Sequence, residues 1–155
     1  MKLSTRVRYG LRALVELADS QRGSPVLLDS VARRQGISRK YLDAIFARLK
    51  AAGLVTSSRG AGGGFLMARL PSEITVLDVY TGLEGPVVLV DCKTEDRHCG
   101  RDDVCPTAEV WAALSKLMGE YMLSVTVERL LENKRRAEEA GAMMYYIRVF
   151  QVSSS

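Results

Sequence analysis

A mainly helical fold with one small β-hairpin is predicted by three features of this 155-residue chain. Apolar residues recur at helical spacing through most of the sequence. A glycine-rich tip lies between two short β-prone runs. Near residue 110 begins an apolar helical face broader than so small a chain needs for itself. Together they describe a winged helix-turn-helix unit followed by a long dimerisation helix.

Each element follows from its local pattern. Val7, Leu11, Leu14, Val15 and Ala18 form one face of a helix over about residues 5–20. The run Gln21-Arg22-Gly23-Ser24-Pro25 breaks it. A second, short helix fits Leu28 to Gln35, with Asp29 or Ser30 near its start and Gly36 at its end. Ser38 stands where an N-cap belongs, and Leu42, Ile45, Phe46 and Leu49 form the next stripe up to Gly53. Two helices joined by the tight turn Gly36-Ile37 constitute a helix-turn-helix. Leu54–Ser58 and Phe65–Ala68 are the β-prone runs, and Arg59 to Gly64 is the tip of the hairpin between them, the wing. A nucleotide-binding phosphate loop is excluded there, because the Lys-Ser/Thr ending is missing and no helix follows.

Beyond Pro71, Thr75 caps a brief helix predicted through Tyr80 and closed by Gly82 and Gly85-Pro86. Residues 91–105 read as a polar, acidic loop carrying all three cysteines. From about Pro106 a long helix presents Val110, Leu114, Leu117, Met118, Tyr121 and Val125 on one face, widened by Trp111 and Met122. Val110, Trp111, Leu114, Leu117, Met118 and Tyr121 are therefore the predicted dimerisation residues, since such a face needs a partner surface. A short helix is expected over Val127–Leu131, with the charged part beyond it as a solvated helix extension. The apolar run from Met143 to Phe150 receives no role. The division expected is a DNA-binding unit over residues 1–75, a short helix and cysteine loop over 76–106, dimerisation helices over 107–133 and a tail over 134–155.

The net charge of +4 hides a split. Residues 1–70 carry 13 Lys and Arg against 4 Asp and Glu, a net of +9, whereas residues 71–155 carry 9 against 14, a net of −5. A basic head joined to an acidic remainder points to a polyanionic partner. No stretch approaches the apolar length of a membrane span, and the N-terminus lacks the apolar core of a signal peptide. The expected location is the cytoplasm, where thiols stay reduced. No nucleophile–base pair is evident and the chain holds 1 histidine, so an enzyme is not expected.

The first turn of the second helix in a helix-turn-helix faces the major groove. Here it reads Ser38-Arg39-Lys40-Tyr41. Ser38 caps the helix and can offer its backbone N–H to a phosphate. Arg39 and Lys40 can reach guanine edges or phosphates, and Tyr41 can donate to a phosphate oxygen. Asp43, acceptor-only, suits selection of cytosine or repulsion of wrong sites, or is a solvated surface acid. Arg59 at the base of the wing suits minor-groove insertion. Gly60, Gly62 and Gly63 let the backbone approach the duplex closely.

Cys92, Cys99 and Cys105 form the pattern C-x6-C-x5-C. Both gaps are too long for a zinc knuckle or a thioredoxin-type pair. Three thiolates from one loop suit an iron–sulfur cluster with a fourth ligand from elsewhere. Structural zinc, a redox disulfide and three unrelated thiols stand as alternatives.

Several runs carry a resemblance. Met1-Lys2-Leu3-Ser4-Thr5 with Arg8-Tyr9-Gly10-Leu11 opens the chain. Ile37-Ser38, Tyr41-Leu42, Leu49 and Gly53-Leu54-Val55 span the helix-turn-helix, and Arg59-Gly60-Ala61-Gly62-Gly63-Gly64-Phe65 the wing. Over about residues 1–132 the chain resembles the iron–sulfur regulator family containing IscR, NsrR and CymR, also called the Rrf-two family. Ala61 stands where proline is frequent and Phe65 where tyrosine is. The resemblance implies a 2Fe–2S or 4Fe–4S cluster on Cys92, Cys99 and Cys105 whose state or loss alters operator affinity. IscR-like members place a histidine three residues beyond the third cysteine, where this chain has Ala108. NsrR-like members use an aspartate where this chain has Arg8. The fourth ligand is therefore not carried over; His98, Glu109, or a small thiol or water are the candidates.

The resulting expectation is a homodimeric regulator, a repressor, binding a palindromic double-stranded operator under control of the cluster. The alternative is a cluster-free DNA-binding regulator acting through a partner enzyme or cysteine redox, or with structural zinc.

Overall fold

A computed structural model of the chain describes residues 3–20, 24–60, 63–90 and 105–140, together with the backbone of 93–94 and 97–98. Its elements are α1 (Thr5–Ser20), α2 (Leu28–Gln35), α3 (Arg39–Ala51), β1 (Val55–Ser58), β2 (Gly64–Met67), α4 (Val76–Glu84), β3 (Lys93–Thr94), β4 (Arg97–His98), α5 (Ala108–Ser124) and α6 (Val127–Glu139). A single 3-10 turn, Pro71–Glu73, connects the wing to α4. The fold is the expected winged helix-turn-helix, mainly α with a small β-hairpin.

The apolar stripes converge on one core. Leu14 and Leu17 of α1, Val31 of α2, and Leu42, Ile45, Phe46 and Leu49 of α3 are buried with Leu54, Ile74, Val79 and Leu83. Phe46 meets Phe65 of the wing edge-to-face, with ring centroids 4.9 Å apart. This fixes the hairpin against the helices at a favourable aromatic geometry. Helix ends follow the local chemistry. Gly36 ends α2 in the left-handed region at φ 63°, and Ser38 Oγ accepts the Tyr41 N–H at 3.3 Å to start α3.

The wing is an antiparallel hairpin with Val55 opposite Met67 and Ser58 opposite Gly64. Val26 adds a one-residue third edge: its N–H donates to Phe65 O and its carbonyl accepts the Phe65 N–H, both at 2.9 Å. A Cβ on Gly64 would lie 2.6 Å from Val26 O, so only glycine admits this strand. The segment before α2 thus clamps the wing from outside.

One helix runs further than the sequence pattern indicates, and another is less solvated than expected. The brief helix expected to stop near Tyr80 continues to Glu84 and is closed by Gly85 at φ 90°. Gly82 lies inside it and is a packing position, since a Cβ there would come 2.8 Å from Ala52 Cβ at the end of α3. The helix over Val127–Leu131 continues, as expected, through its charged extension to Glu139. Its charged part is not simply solvated, because Lys134 pairs with Glu16 and Asp19 of α1. A short ladder precedes both helices: Val76 N–H donates to Val125 O, and Val127 N–H to Ile74 O, each at 2.8 Å. It holds the start of α4 beside the start of α6.

Candidate nucleic-acid interface and cysteine loop

The first turn of α3 stands at the surface. Ser38, Arg39 and Lys40 are exposed, whereas Tyr41 is half-buried. Tyr41 packs its ring edge-on to Tyr9 at 6.0 Å, and its hydroxyl lies 3.3 Å from Thr5 Oγ1. Arg8 and Arg12 of α1 lie over the Tyr9 ring, at 5.1 and 5.7 Å from its centroid. The opening turns of α1 therefore lie beside the opening turn of α3 and add basic groups to it. Sequence reasoning missed Thr5, Tyr9 and Arg12. Their recurrence within one amphipathic helix was visible, but not which loop they would approach.

Arg39 does not reach freely into solvent. Its Nη1 lies 2.7 Å from Asp29 Oδ1 of α2, and its Nε donates to Asp43 Oδ1 at 3.0 Å. The Asp29 hydrogen bond, aided by Asp43, raises the guanidinium's pKa. All three side chains remain about half exposed, so the pairs orient the guanidinium more than they stabilise the fold. Asp43, read from sequence as a base contact or a solvated acid, serves in this structure as a partner of Arg39.

The wing is tied to the same surface. Lys50 Nζ, at the end of α3, donates to Ser57 Oγ of β1 at 2.6 Å. Arg59 is exposed just beyond β1. Gly60 adopts φ 107°, and a Cβ on Gly63 would lie 2.8 Å from Ser58 O, so the tip tolerates no side chain at Gly63. Gly62 lies outside the described residues. The exposed basic groups Arg39, Lys40, Lys50 and Arg59 run from the head of α3 along to the wing.

α5 differs from every helix of the head: no residue of it is buried. Among the expected dimerisation residues, Val110, Trp111, Leu114, Leu117 and Tyr121 are exposed, Leu117 at 60% and Tyr121 at 72%, and Met118 is half-buried. Leu123, not singled out from sequence, is exposed as well.

Of the cysteines, Cys105 stands one turn before α5, its carbonyl accepting the Ala108 N–H at 3.3 Å and its Sγ lying 3.4 Å from Thr107 Oγ1. Cys92 and Cys99 lie outside the described residues. The β3–β4 ladder pairs Lys93 with His98, the chain neighbours of those two cysteines. Among the described residues no three metal-ligating side chains converge. Glu109 is exposed in the first turn of α5.

Comparison with known proteins decides the class. The model of the Rrf2 family, described as "Iron-dependent Transcriptional regulator", matches residues 3–133. The chain belongs to the Rrf2 family. It is 38% identical over 133 residues to the protein rrf2 of Nitratidesulfovibrio vulgaris, covering 86% of this chain and 89% of that one. It is 35% identical over 141 residues to the transcriptional regulator IscR of Photorhabdus laumondii, covering 91% and 85%. Among solved structures, T. potens IscR superposes with a TM-score of 0.72 at 36% identity, covering 96% of each chain. CymR, the global cysteine regulator of B. subtilis, superposes with a TM-score of 0.69 at 34% identity, covering 86% of this chain and 98% of that one. The Rrf2 membership makes this chain a DNA-binding transcription regulator rather than an enzyme. Among the described residues no helix is long and apolar enough to cross a membrane.

Proposed function

We propose that this Rrf2-family chain is a homodimeric repressor. Two helix-turn-helix heads, joined through α5, bind the half-sites of a partly palindromic operator, and an iron–sulfur cluster on Cys92, Cys99 and Cys105 controls that binding. One observation carries the reading. A 17-residue helix with no residue buried in its own chain follows directly from a three-cysteine segment. An apolar face of that extent is a poor solvent surface and a good two-fold interface. Pairing two basic heads across it matches the symmetry of a palindrome.

In this reading Ser38, Arg39, Lys40 and Tyr41 meet the major groove. Arg39 reads guanine while Asp29 and Asp43 hold its fork in the plane needed for bidentate contact. Arg59 enters the minor groove, and Gly60, Gly62 and Gly63 bring the wing backbone to the phosphates. Residues 1–75 form the reading unit, 76–106 the sensing segment and 107–133 the dimerisation helices.

The donor set fits a cluster. It offers three thiolates, two of them adjoining the Lys93–His98 pair and the third at the base of α5. When bound, the cluster supplies a reactive inorganic centre whose gain or loss alters the charge and shape of the segment. The chain's own part is to connect that segment to the head. The Leu89 N–H donates to Ser115 Oγ of α5 at 3.3 Å, and both Arg6 and Arg48 donate to Leu83 O at 3.2 Å, the latter from the reading helix. His98, Glu109 or an exogenous thiol or water completes the shell.

Anaerobic purification is expected to give brown protein containing iron and sulfide, with the colour lost in Cys92→Ala. Colourless protein with stoichiometric zinc defeats the cluster. A second reading is favoured by the likeness to CymR, which has also been solved from Staphylococcus aureus in an oxidized form, at 28% identity and a TM-score of 0.65. In that reading the cysteines are redox sensors, or spectators in a regulator that acts through a partner enzyme. Operator affinity of the triple Cys→Ala variant separates the two: under the cluster reading it departs from that of the cluster-loaded wild type, whereas unchanged regulation supports the second reading.

A further inference from the structure

Glu16 is buried to 3% exposure, although it is charged and lies outside the reading surface. Burying a carboxylate is costly unless partners on all sides compensate. Ser20 of the same helix donates to Glu16 Oε1 at 3.3 Å, and the other partners come from two further helices. From α2, Arg34 Nη1 lies 2.8 Å from Glu16 Oε1 and Gln35 Nε2 donates to Oε2 at 3.0 Å. From α6, Lys134 Nζ lies 3.0 Å from Oε2 and also 2.7 Å from Asp19 Oδ2. Burial pushes the Glu16 carboxyl pKa up, but the hydrogen bonds from Arg34, Lys134 and Gln35 outweigh it and leave the pKa lowered. The group is therefore an ionised knot between three helices.

Its two ends lead to different parts of the molecule. Gln35 is the last residue of α2 and adjoins the turn into the reading helix. Arg12 of α1 grips it twice at 3.0 Å, through the side-chain oxygen and the backbone carbonyl. On the other side, Lys134 belongs to α6, which follows α5 after the Thr75–Thr126 bridge. A chain of short polar contacts thus runs from the reading turn, through Glu16, to the helical arm.

We propose that Glu16, held by Lys134, is a positioning residue that sets the angle between the reading head and the α5–α6 arm, and so the operator spacing the protein accepts. The inference rests on the dimeric reading given above. α6 is also held by buried Val127 and Leu131 and by Arg135 on Asp19 at 3.3 Å, but apolar packing tolerates sliding and an exposed pair is weak, whereas a buried charge with four donors has one low-energy arrangement. Loosening the α6 side of the knot leaves each head intact but frees it relative to its partner.

The test uses the full chain and a duplex that the wild-type protein itself selects from a randomised pool. Two derivatives are compared with it, one carrying an extra base pair at the centre and one retaining a single half-site. For the wild type, the insertion is expected to weaken binding about tenfold or more. In Lys134→Met this penalty is expected to fall below about threefold while half-site affinity stays within about twofold, and Lys134→Arg restores the penalty. Glu16→Gln, read in the same way, serves if Lys134→Met does not fold. A wild type indifferent to the insertion overturns the proposal. So does a Lys134→Met variant that keeps the full penalty, or one that loses half-site and full-site affinity in equal proportion. Sedimentation of wild-type protein on the selected duplex separates the two levels. A monomer sinks the dimeric reading itself, whereas a dimer with an unchanged spacing penalty in the variant sinks only the role of Glu16.

Discussion

The reading head and the α5 helix obey opposite rules within one chain. The head buries the apolar side of each of its helices, and its largest enclosed side chain, Phe46, is sealed between α3 and the wing. α5 is at least as apolar in composition as α3 yet has no fully buried residue, only partly covered ones such as Met118. Local sequence made both helices, but among the described residues only those of the head enclose their own apolar faces. A helix with a buried face and a helix with an exposed apolar face can therefore lie a few residues apart in one chain.

The largest effect that sharpens this contrast is in the head. Phe46→Ala removes the centre of the core and is expected to lower stability by about 3–5 kcal/mol in urea unfolding. A loss below about 1 kcal/mol would mean that the core closes elsewhere. On α5, Leu117→Glu places a charge on a residue that is 60% exposed. The head is expected to stay folded by circular dichroism while the assembly dissociates in sedimentation, with operator affinity falling on the order of a hundredfold. If that variant remains dimeric, α5 is not the interface.

A smaller effect is expected at the reading surface. Arg39→Ala should cost about 1–3 kcal/mol of operator affinity and relax preference at one base pair. Because its ion pairs are exposed, thermal stability should scarcely move. A uniform loss on every sequence would instead assign Arg39 to a phosphate.

The smallest effect is a pH dependence at the knot joining the two regions. Glu16 and Asp19 have pKa values lowered below their usual 4.5 and 3.8; burial opposes the shift at Glu16, and the Lys134 hydrogen bond leads it at Asp19. Their contribution to stability is present above those usual values and is lost as pH falls through the lower, folded ones. For Lys134, burial acts to lower the pKa, but the Asp19 and Glu16 hydrogen bonds raise it above 10.5. Its contribution is complete below that value and disappears as pH rises through the folded one. Melting curves should thus be flat near neutrality, and Glu16→Gln should flatten the acid limb that falls away below pH 4.5. An acid limb identical to wild type would show that the titration lies elsewhere.

Periodicity placed α1 and α2 at their observed bounds, because an amphipathic stripe closed by a breaker or a left-handed glycine leaves few alternatives. The wing was legible for the same kind of reason. α4 was underestimated because Gly82 reads as a stop. It is a stop only where nothing rewards its missing side chain, and here Ala52 lies against it. The extension of α6 was legible but not its role, because charged residues beyond Leu131 look solvated until Glu16 and Asp19, more than a hundred residues away, are seen beside Lys134. In the candidate interface, the residue types and their order were readable. The Arg39–Asp29 pair and the approach of Thr5 and Tyr9 to Tyr41 were not, since they join different helices.

The amino-acid order alone determined what is local: helix stripes, caps, the glycine-rich hairpin, the segregation of charge and the spacing of three thiols. Only the three-dimensional packing decided which charges meet, which glycine is a contact rather than a break, and that no residue of α5 is fully buried. The physical reason is range. Backbone geometry and hydrogen-bonded turns are settled over a few residues, whereas burial and ion pairing depend on segments that the chain brings together only once it has folded.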